Sequence, residues 1–208
     1  INTRLDAKAV RFMLDHGEAK VFLTDTEYAA TSGPAIAGLA REITVVDIDD
    51  PLGAGGERLS QPDYDALLAA GEAGFAGEGV ADEWDAITLN YTSGTTGPPK
   101  AVMISHDNIT WTAKATTDFL DMGNDDHEIS YLPLSHIAAQ MLDIHAPMQT
   151  GAQIHFARPD ALKGTLGATL KAVRHTNFFG VPRVWKKIFD KMQAIGRESK
   201  GLKKEIAT

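Results

Sequence analysis

Short apolar segments alternate with amphipathic segments along this chain, and the alternation restricts its fold more than any other feature. Residues 19–24, 43–48 and 86–90 have the length and the β-branched content of buried strands. Segments with apolar residues at helical spacing lie between and beyond them. Strands that alternate with helices form a parallel sheet covered on both faces. The sequence therefore predicts an α/β fold with a mostly parallel sheet flanked by helices.

The same periodicity, with its capping residues, predicts the individual elements. Asp6 is expected to cap the first helix, and Ser105 or Asp107 to cap a later one. Ser135 is expected to cap a helix that Pro147 kinks or ends. The predicted helices cover residues 7–16, 26–41, 64–70, 108–120 and 162–175, and the further predicted strands cover 101–104, 129–132, 153–157 and 178–181.

Length and composition are those of an ordinary globular protein with two segments. The chain has 208 residues, of which 43% are hydrophobic and 23% are charged. We expect a first α/β segment at 1–70, a linker of small residues at 71–85 and a second α/β segment at 86–208. The absence of cysteine excludes disulfides and thiolate chemistry and fits a reducing, cytoplasmic compartment.

Charge is distributed unevenly, with an acidic body and a basic end. The net charge of −8 argues against nucleic acid as a partner. Residues 181–208 nevertheless hold eight Lys/Arg and three Asp/Glu, so they carry +5 and the first 180 residues carry −13. A basic amphipathic helix of this kind either contacts a membrane surface peripherally or is the solvated face of a surface helix. Its predicted apolar stripe consists of Val184, Trp185, Ile188, Met192 and Ile195, and we expect Trp185 and Met192 to be core residues.

The strongest local signal for function is the turn that follows the strand at 86–90. Glycines let backbone N–H groups approach an anion, hydroxyls add donors, and a lysine adds positive charge, so such a turn suits polyphosphate. It is not a Walker loop, because its glycines are three apart and two prolines precede its lysine. The alternative is a polar surface loop. The candidate phosphate-binding residues are Thr92, Ser93, Gly94, Thr95, Thr96, Gly97, Pro98, Pro99 and Lys100.

The same turn resembles the phosphate-binding signature of AMP-forming adenylate-forming enzymes, which include acyl-CoA synthetases, luciferases and peptide-synthetase adenylation domains. The segments SYLPLSHIAAQ (130–140), PDALKG (159–164) and GVPRVW (180–185) are similar to long-chain acyl-CoA synthetases of the bubblegum type. Residues 1–90 instead resemble short- and medium-chain bacterial acyl-CoA synthetases. Either an unusual lineage or a fused sequence explains this difference, and the fatty-acid chain length stays open.

This resemblance implies that the turn binds the phosphates of ATP and that Lys100 offsets charge on pyrophosphate as it leaves. It also makes Thr92 a candidate contact for Mg²⁺, with water and phosphate oxygens supplying most of the six ligands. Fatty acid and CoA are the other implied substrates. Family members usually carry glycine where this chain has Ala101. The added methyl group is harmless at negative φ and displaces the loop otherwise.

His136 is the implied catalytic residue of the second segment. By resemblance it borders the acyl and adenylate pocket, where its imidazole hydrogen-bonds the carboxylate or the adenylate phosphate and helps to exclude water. The alternative is a histidine at a helix start whose ring is satisfied by the backbone. The remaining candidates lack metal-ligand spacing, and we expect them to be structural or exposed: His106, His127, His145, His155 and His175.

The resemblance implies a fragment of the large N-terminal domain of such an enzyme. We expect the adenine-binding motifs, the hinge and the C-terminal domain to be absent, so residues 1–208 should catalyse little or nothing. An uncovered sheet edge and helix face should then let the isolated chain self-associate. The predicted function of the parent is formation of acyl-CoA, AMP and pyrophosphate from fatty acid, ATP and CoA. The alternatives are an adenylating enzyme that loads an acyl carrier protein and a non-catalytic nucleotide-binding module.

Overall fold

The computed structural model describes residues 1–92 and 99–198 of the chain. The chain divides into two compact units, Ile1–Asn108 and Ile109–Thr208. Within the described residues each unit contains helices and one pair of parallel strands, and the first unit also contains an antiparallel pair. The predicted α/β class, in which helices accompany mainly parallel strands, is therefore confirmed.

The elements of the first unit follow the predicted order closely. Asp6 caps the first helix by accepting a hydrogen bond from the Ala9 N–H at 2.8 Å, and Gly17 follows the last residue of that helix. The helix predicted at 26–41 is shorter, because a 3₁₀ turn occupies its first residues and Gly38 lies at its C-cap. In chain order the elements are α1 (Ala7–His16), β1 (Val21–Asp25), the 3₁₀ turn Thr26–Tyr28, α2 (Ala29–Ala37), β2 (Thr44–Ile48), α3 (Tyr64–Ala69), β3 (Ala86–Thr92) and β4 (Lys100–Ser105).

The core of the first unit forms around α1, α2 and the parallel pair β1–β2. Val10, Leu14 and Ala35 are buried at its centre. Val10 and Leu14 are four residues apart, so they share one face of α1. Partly buried apolar residues complete the cluster: Leu5, Ala7, Ala19, Phe22, Leu39 and Ile43.

One buried carboxylate holds the long loop between β2 and α3. Asp47 is fully buried, and its Oδ2 accepts hydrogen bonds from the Leu59 N–H at 2.7 Å and the Ser60 N–H at 2.8 Å. The Ser60 hydroxyl accepts in return from the Asp47 N–H at 3.2 Å. Oδ1 has no hydrogen-bond partner among the described residues. Asp47 therefore ties the loop to β2 through one side-chain oxygen and its own backbone N–H.

The strands β3 and β4 form an antiparallel hairpin. Parallel strands need a crossover connection of about a dozen residues or more, and only residues 93–99 separate these two strands. The short connection therefore dictates antiparallel pairing. The sequence pattern predicted mainly parallel strands and did not anticipate this pair.

The second unit is built around the parallel pair β5–β6. Its first helix is capped by Ser105, whose hydroxyl accepts from the Asn108 N–H while the Asn108 side chain accepts from the Ser105 N–H, both at 3.2 Å. This reciprocal pair satisfies two donors at the helix start, so Ser105 rather than Asp107 is the cap. The elements are α4 (His106–Leu120), β5 (His127–Ser130), α5 (Ile137–Gln140), the π-helical turn Met141–His145, α6 (Ala146–Thr150), β6 (Gln153–Phe156), the 3₁₀ turn Ala161–Lys163, α7 (Leu166–Val173) and α8 (Pro182–Glu198).

Two local predictions for this unit are wrong, and one alternative of a third is excluded. Ser135 does not cap α5, because His136 occupies the N-cap position. Pro147 does not end a helix, since helical backbone continues through it from the π-helical turn Met141–His145 to Thr150, and a kink at Pro147 stays a prediction. The strand predicted at 178–181 is irregular backbone, since the Val181 N–H donates to the Tyr131 hydroxyl at 3.3 Å instead of joining a ladder.

The last helix packs against the second core along only part of its apolar stripe. Val184 is buried with Ile129 and Leu166, and Ile188 packs against the same cluster. Trp185 and Met192 are not core residues of this chain, since they are 50% and 66% exposed, and their exposure agrees with the expectation of an uncovered helix face. None of the helices in residues 1–92 and 99–198 has the length and hydropathy needed to cross a bilayer.

The arrangement around Asp47 predicts different costs for two substitutions. Asp47→Ala should lower the free energy of unfolding by about 2–4 kcal/mol, because it leaves the Leu59 and Ser60 N–H groups buried without an acceptor. Asp47→Asn should cost clearly less, since its amide oxygen can replace Oδ2 and its NH₂ group would occupy the position of the unpartnered Oδ1. Urea unfolding of both variants checks this, and equal losses would contradict it.

Candidate functional site

The hairpin closes the predicted phosphate turn at both ends. Thr92 lies opposite Lys100 in the register, and its hydroxyl donates to the Lys100 carbonyl oxygen at 3.4 Å. The side chains of Thr92 and Lys100 are exposed, and Pro99 is half-buried. The turn residues between them, 93–98, lie outside the described part of the chain. The two ends of the turn are thus fixed across one ladder, with a hydroxyl and an ammonium group available to solvent.

Ala101 is extended backbone in β4, where it pairs with Tyr91. It is not among the residues with positive φ. A methyl group imposes no strain on extended backbone, so the geometry favours the harmless alternative for this departure from the usual glycine.

Tyr91, directly before the turn, anchors the start of the turn to α1. Its hydroxyl lies 2.9 Å from His16 Nδ1 and 3.4 Å from the Met13 carbonyl oxygen. The Phe12 ring meets the Tyr91 ring edge-on at a centroid distance of 6.2 Å. Burial raises the pKa of the Tyr91 phenol, which keeps it protonated and able to donate at neutral pH. Sequence analysis did not predict this anchoring role of Tyr91, because its partners lie more than 70 residues away in the chain.

His136 begins α5 and is held by the backbone on one side of its ring. Nδ1 accepts from the Ala138 N–H at 3.2 Å, so Nδ1 carries no proton and the neutral ring carries its proton on Nε2. The His136 N–H donates to the Pro133 carbonyl at 2.9 Å, and the Gln140 side chain donates to the Leu134 carbonyl at 2.8 Å. The alternative that the backbone satisfies the His136 ring therefore holds for Nδ1. The ring is exposed, so its Nε2–H can donate to a ligand.

An apolar cavity begins one residue after His136. It has a volume of about 320 Å³, which is within the usual range for small-molecule pockets. Thr112 and Thr116 form one wall, because residues four apart share a face of α4. Sequence analysis did not predict the cavity. The spacing of these two threonines could have indicated that they share one helix face. The opposite wall consists of Ile137, Ala138, Met141 and Leu142.

One buried and one half-buried carboxyl group lie near each other in the second unit. Glu128 on β5 is 7% exposed, and burial, with the nearby charges of Asp143 and Asp126, raises its pKa to about 7. Burial also raises the pKa of Asp143, although the Ser130 hydroxyl partly offsets this by donating to it at 2.6 Å. Sequence reasoning missed this cluster, since Glu128 and Asp143 approach only through tertiary packing.

Two of the other histidines, His127 and His155, contact each other. His127 Nδ1 lies 3.0 Å from His155 Nε2, and the two rings stack at 5.3 Å on neighbouring strands. No group of three His, Asp, Glu or Cys residues able to hold a metal occurs in residues 1–92 and 99–198. Thr92 offers a single exposed hydroxyl, so the protein atoms described there fit Mg²⁺ only as a minor contact.

The candidate residues fall into two groups, one in each unit. Thr92, Pro99 and Lys100 belong to the hairpin of the first unit, and His136 belongs to the second. The membership of residues 93–98 in the site stays a prediction.

Comparison with known proteins identifies the family. The model of the family described as AMP-binding enzyme matches residues 1–205. This chain belongs to the AMP-binding enzyme family. A long-chain-fatty-acid–CoA ligase, ACSBG2 of Xenopus laevis, is 59% identical to this chain over 125 residues. The matched region covers 58% of this chain and 17% of the relative. The chain thus spans about a sixth of the length of that relative.

Solved structures show the fold of this AMP-binding family member. A long-chain-fatty-acid–CoA ligase, FadD1 from Archaeoglobus fulgidus, superposes with a TM-score of 0.78 at 20% identity over 93% of this chain and 36% of that chain. The N-terminal domain of FACL13 from Mycobacterium tuberculosis gives 0.72 at 23% identity over 88% and 43%. The chain therefore has the fold of part of the N-terminal domain of these ligases.

The contact between Tyr91 and α1 predicts a modest loss on removal of its hydroxyl. Tyr91→Phe should lower the free energy of unfolding by about 1 kcal/mol, because it deletes a partly buried hydrogen bond but keeps the ring packing. Tyr64→Phe, on the exposed α3, is the matched control. Denaturant unfolding measures both, and equal stability of the Tyr91 and Tyr64 variants would remove the anchoring role.

The raised pKa of Glu128 predicts a pH-dependent stability. The folded state binds the proton more tightly than the unfolded state, so stability is fully present below pH 4.5 and falls as the pH rises toward about 7. Glu128→Gln should therefore stabilise the chain by about 1–3 kcal/mol at pH 8 and have little effect at pH 4. Unfolding at both pH values tests this, with the exposed Glu42→Gln as control. A variant that is no more stable at pH 8 would contradict the assignment.

Proposed function

We propose that this chain is part of an ATP-dependent, AMP-forming ligase that joins a long-chain fatty acid to CoA. The observation that carries the proposal is the β3–β4 hairpin, which holds Thr92 and Lys100 at the two ends of a glycine- and hydroxyl-rich turn. Membership of the AMP-binding enzyme family and the name of the frog relative support the same reaction class.

The first half-reaction is a displacement at the α-phosphorus of ATP. A carboxylate oxygen of the fatty acid forms a bond to that phosphorus, the bond to the bridging oxygen breaks, and pyrophosphate leaves with its electron pair. The products are acyl-AMP and pyrophosphate. Such phosphoryl chemistry depends mainly on positioning and on cations that stabilise the charge developing on the leaving group.

Lys100 fits the role of that cation. The strand pairing fixes its backbone opposite Thr92, while the side chain is exposed beside the turn. The ammonium group would lower the cost of negative charge on pyrophosphate, and the Thr92 hydroxyl would turn from the Lys100 carbonyl to donate to a phosphate oxygen. Mg²⁺ would supply further positive charge on the phosphates, with its remaining ligands from phosphate oxygens and water.

His136 and the cavity beside it fit the acyl side of the reaction. The bond from Ala138 to Nδ1 fixes the proton on Nε2, which can donate to a carboxylate or an adenylate phosphate. The apolar walls formed by Ile137, Met141 and Leu142 leave the cavity open to solvent on one side and would take part of a hydrocarbon chain.

The second half-reaction transfers the acyl group to sulfur. The thiolate of CoA attacks the acyl carbonyl, the carbon–oxygen bond to AMP breaks, and AMP leaves with the electron pair. A carrier-bound phosphopantetheine thiol would react in the same way. An assay that offers CoA and a carrier protein distinguishes the two acceptors. We expect CoA to be preferred, because relatives 59% and 57% identical to part of this chain are named as CoA ligases.

The role of Lys100 predicts a selective kinetic defect in the parent enzyme. Lys100→Ala should lower kcat/KM for ATP by about 10- to 100-fold, because it removes a cation beside the leaving pyrophosphate. Fatty-acid binding should change little, since the apolar cavity is untouched. ATP–pyrophosphate exchange and fatty-acid titration measure the two effects.

A matched lysine supplies the control for this experiment. Lys171 lies exposed on α7, so Lys171→Ala should leave exchange and binding unchanged. Normal ATP kinetics in the Lys100 variant would remove that residue from the site. Exchange without transfer to CoA, together with transfer to a carrier protein, would overturn the CoA-ligase assignment.

A further inference from the structure

A short hydrogen bond ties the π-helical turn Met141–His145 to the strand β5. The Ser130 hydroxyl donates to Asp143 Oδ2 at 2.6 Å, and Ser130 is only 4% exposed. A hydroxyl that donates to a carboxylate at this distance makes a strong, charge-assisted bond. Asp143 is the middle residue of the turn, so the bond holds the turn at its centre. The proposed reaction uses neither of these two side chains.

The two residues before Asp143 form part of the wall of the apolar cavity. Met141 and Leu142 both line that cavity of about 320 Å³. Leu142 also lines a second, small cavity of about 10 Å³, together with Asp143 and Phe179. Leu142 therefore separates the two spaces, and the small one has room for about one water molecule. Any shift of the π-helical turn moves this partition and changes the shape of the apolar cavity.

Glu128 lies on the same side of β5 as the bond. Glu128 and Ser130 are two residues apart on the strand, so their side chains share one face of it. Burial, with the charges of Asp143 and Asp126, raises the pKa of Glu128 to about 7. Glu128 therefore gains and loses its proton near neutral pH. His127, when charged, acts on Asp126.

The other titratable groups near the π-helical turn do not compensate these negative charges. Burial and the charge of Asp143 raise the pKa of the Tyr131 phenol, which stays neutral at pH 8. Burial lowers the pKa of His145, at the end of the turn, so this ring is neutral there as well. In the portion of the chain that the structure describes, no salt bridge reaches Glu128 or Asp143. Ionisation of Glu128 therefore places a second negative charge near Asp143 and pushes the turn away from the strand.

We propose that Ser130 and Asp143 are positioning residues, whose hydrogen bond holds the apolar wall of the cavity in place for the acyl chain. Met141 and Leu142 contact the substrate, and the bonded pair acts through them. The charge on Glu128 works against this hold. The role rests on the proposed function, because that function assigns the cavity to the hydrocarbon chain of the fatty acid.

Removal of the Ser130 hydroxyl tests the hold in the parent enzyme. Ser130→Ala should raise KM for the fatty acid about tenfold, because it breaks a bond to a charged group behind the wall. KM for ATP and kcat should change little, since the hairpin β3–β4 is untouched. Thr165→Val is the matched control, because the Thr165 hydroxyl donates to the Asp160 carboxylate at 2.9 Å and neither residue lines the two cavities. It should leave both KM values unchanged.

Two further substitutions test the charges at the π-helical turn. Glu128→Gln, which is expected to stabilise the fold at pH 8, should lower KM for the fatty acid about threefold relative to the wild type at that pH and change it little at pH 6. The ratio of variant to wild type at each pH cancels the titration of the substrates. Asp143→Asn keeps an acceptor for Ser130, so it should raise KM for the fatty acid less than Asp143→Ala does.

Binding of cis-parinaric acid, a fluorescent polyene fatty acid, reports on the cavity without catalysis. Its Kd for the parent enzyme, measured without ATP and CoA, should follow KM: weaker for Ser130→Ala and unchanged for Thr165→Val. Denaturant unfolding of every variant shows which proteins are folded in the assay. If Ser130→Ala does not fold, Glu128→Gln decides the question.

Three results would overturn the proposal. The first is equal KM and Kd for the folded Ser130 and Thr165 variants. The second is a Glu128→Gln ratio that is the same at pH 6 and pH 8. The third is a rise in KM for ATP as large as that for the fatty acid, which would give the bonded pair a general structural role. A parent that forms no acyl-CoA but binds cis-parinaric acid in a Ser130-dependent way would refute the ligase assignment and keep the wall.

Discussion

The pairing of β3 with β4 is the constraint on which the candidate phosphate site depends. A connection of a few residues leaves antiparallel pairing as the only ladder available, and the ladder then sets Thr92 against Lys100. The strand pairing alone brings the two ends of the turn together, without a further interaction between them. The anchor of Tyr91 on α1 adds a second support, so the start of the turn is tied both to its own hairpin and to the core of the first unit.

Local patterns predicted much of the secondary structure, because periodicity and capping are written in neighbouring residues. The first helix from Ala7 to His16, with Asp6 as its cap, is one example, and the short helix before the linker is another. The same patterns failed where a side chain competes with the expected partner. The imidazole of His136 displaced Ser135 as a cap, and the hydroxyl of Tyr131 captured the Val181 N–H that a strand would have used.

The candidate site was predictable to the extent that its chemistry lies in consecutive residues. The turn and His136 could be named from sequence because each belongs to a short recognisable segment. The supports around them could not, since Tyr91 meets α1 across more than 70 residues and the cavity combines α4 with α5. Burial of Glu128 is likewise a property of the packed unit: its strand offers no sign that Asp143 will lie close enough to disfavour a second charge.

The π-helical turn Met141–His145 has a consequence for how this cavity can vary. A π-turn is an α-helix with one residue inserted, so it is lost by deletion rather than by substitution. Such a deletion would restore an α-helical turn and leave α5 and α6 facing as they do now, because the π-turn holds its extra residue within one wide turn. The bond from Gln149 on α6 to the Thr110 carbonyl on α4, 3.2 Å long, could therefore persist. Met141 and Leu142 lie in the π-turn and line the cavity, so a gap of one residue changes this wall in a single step, whereas point substitutions change it gradually.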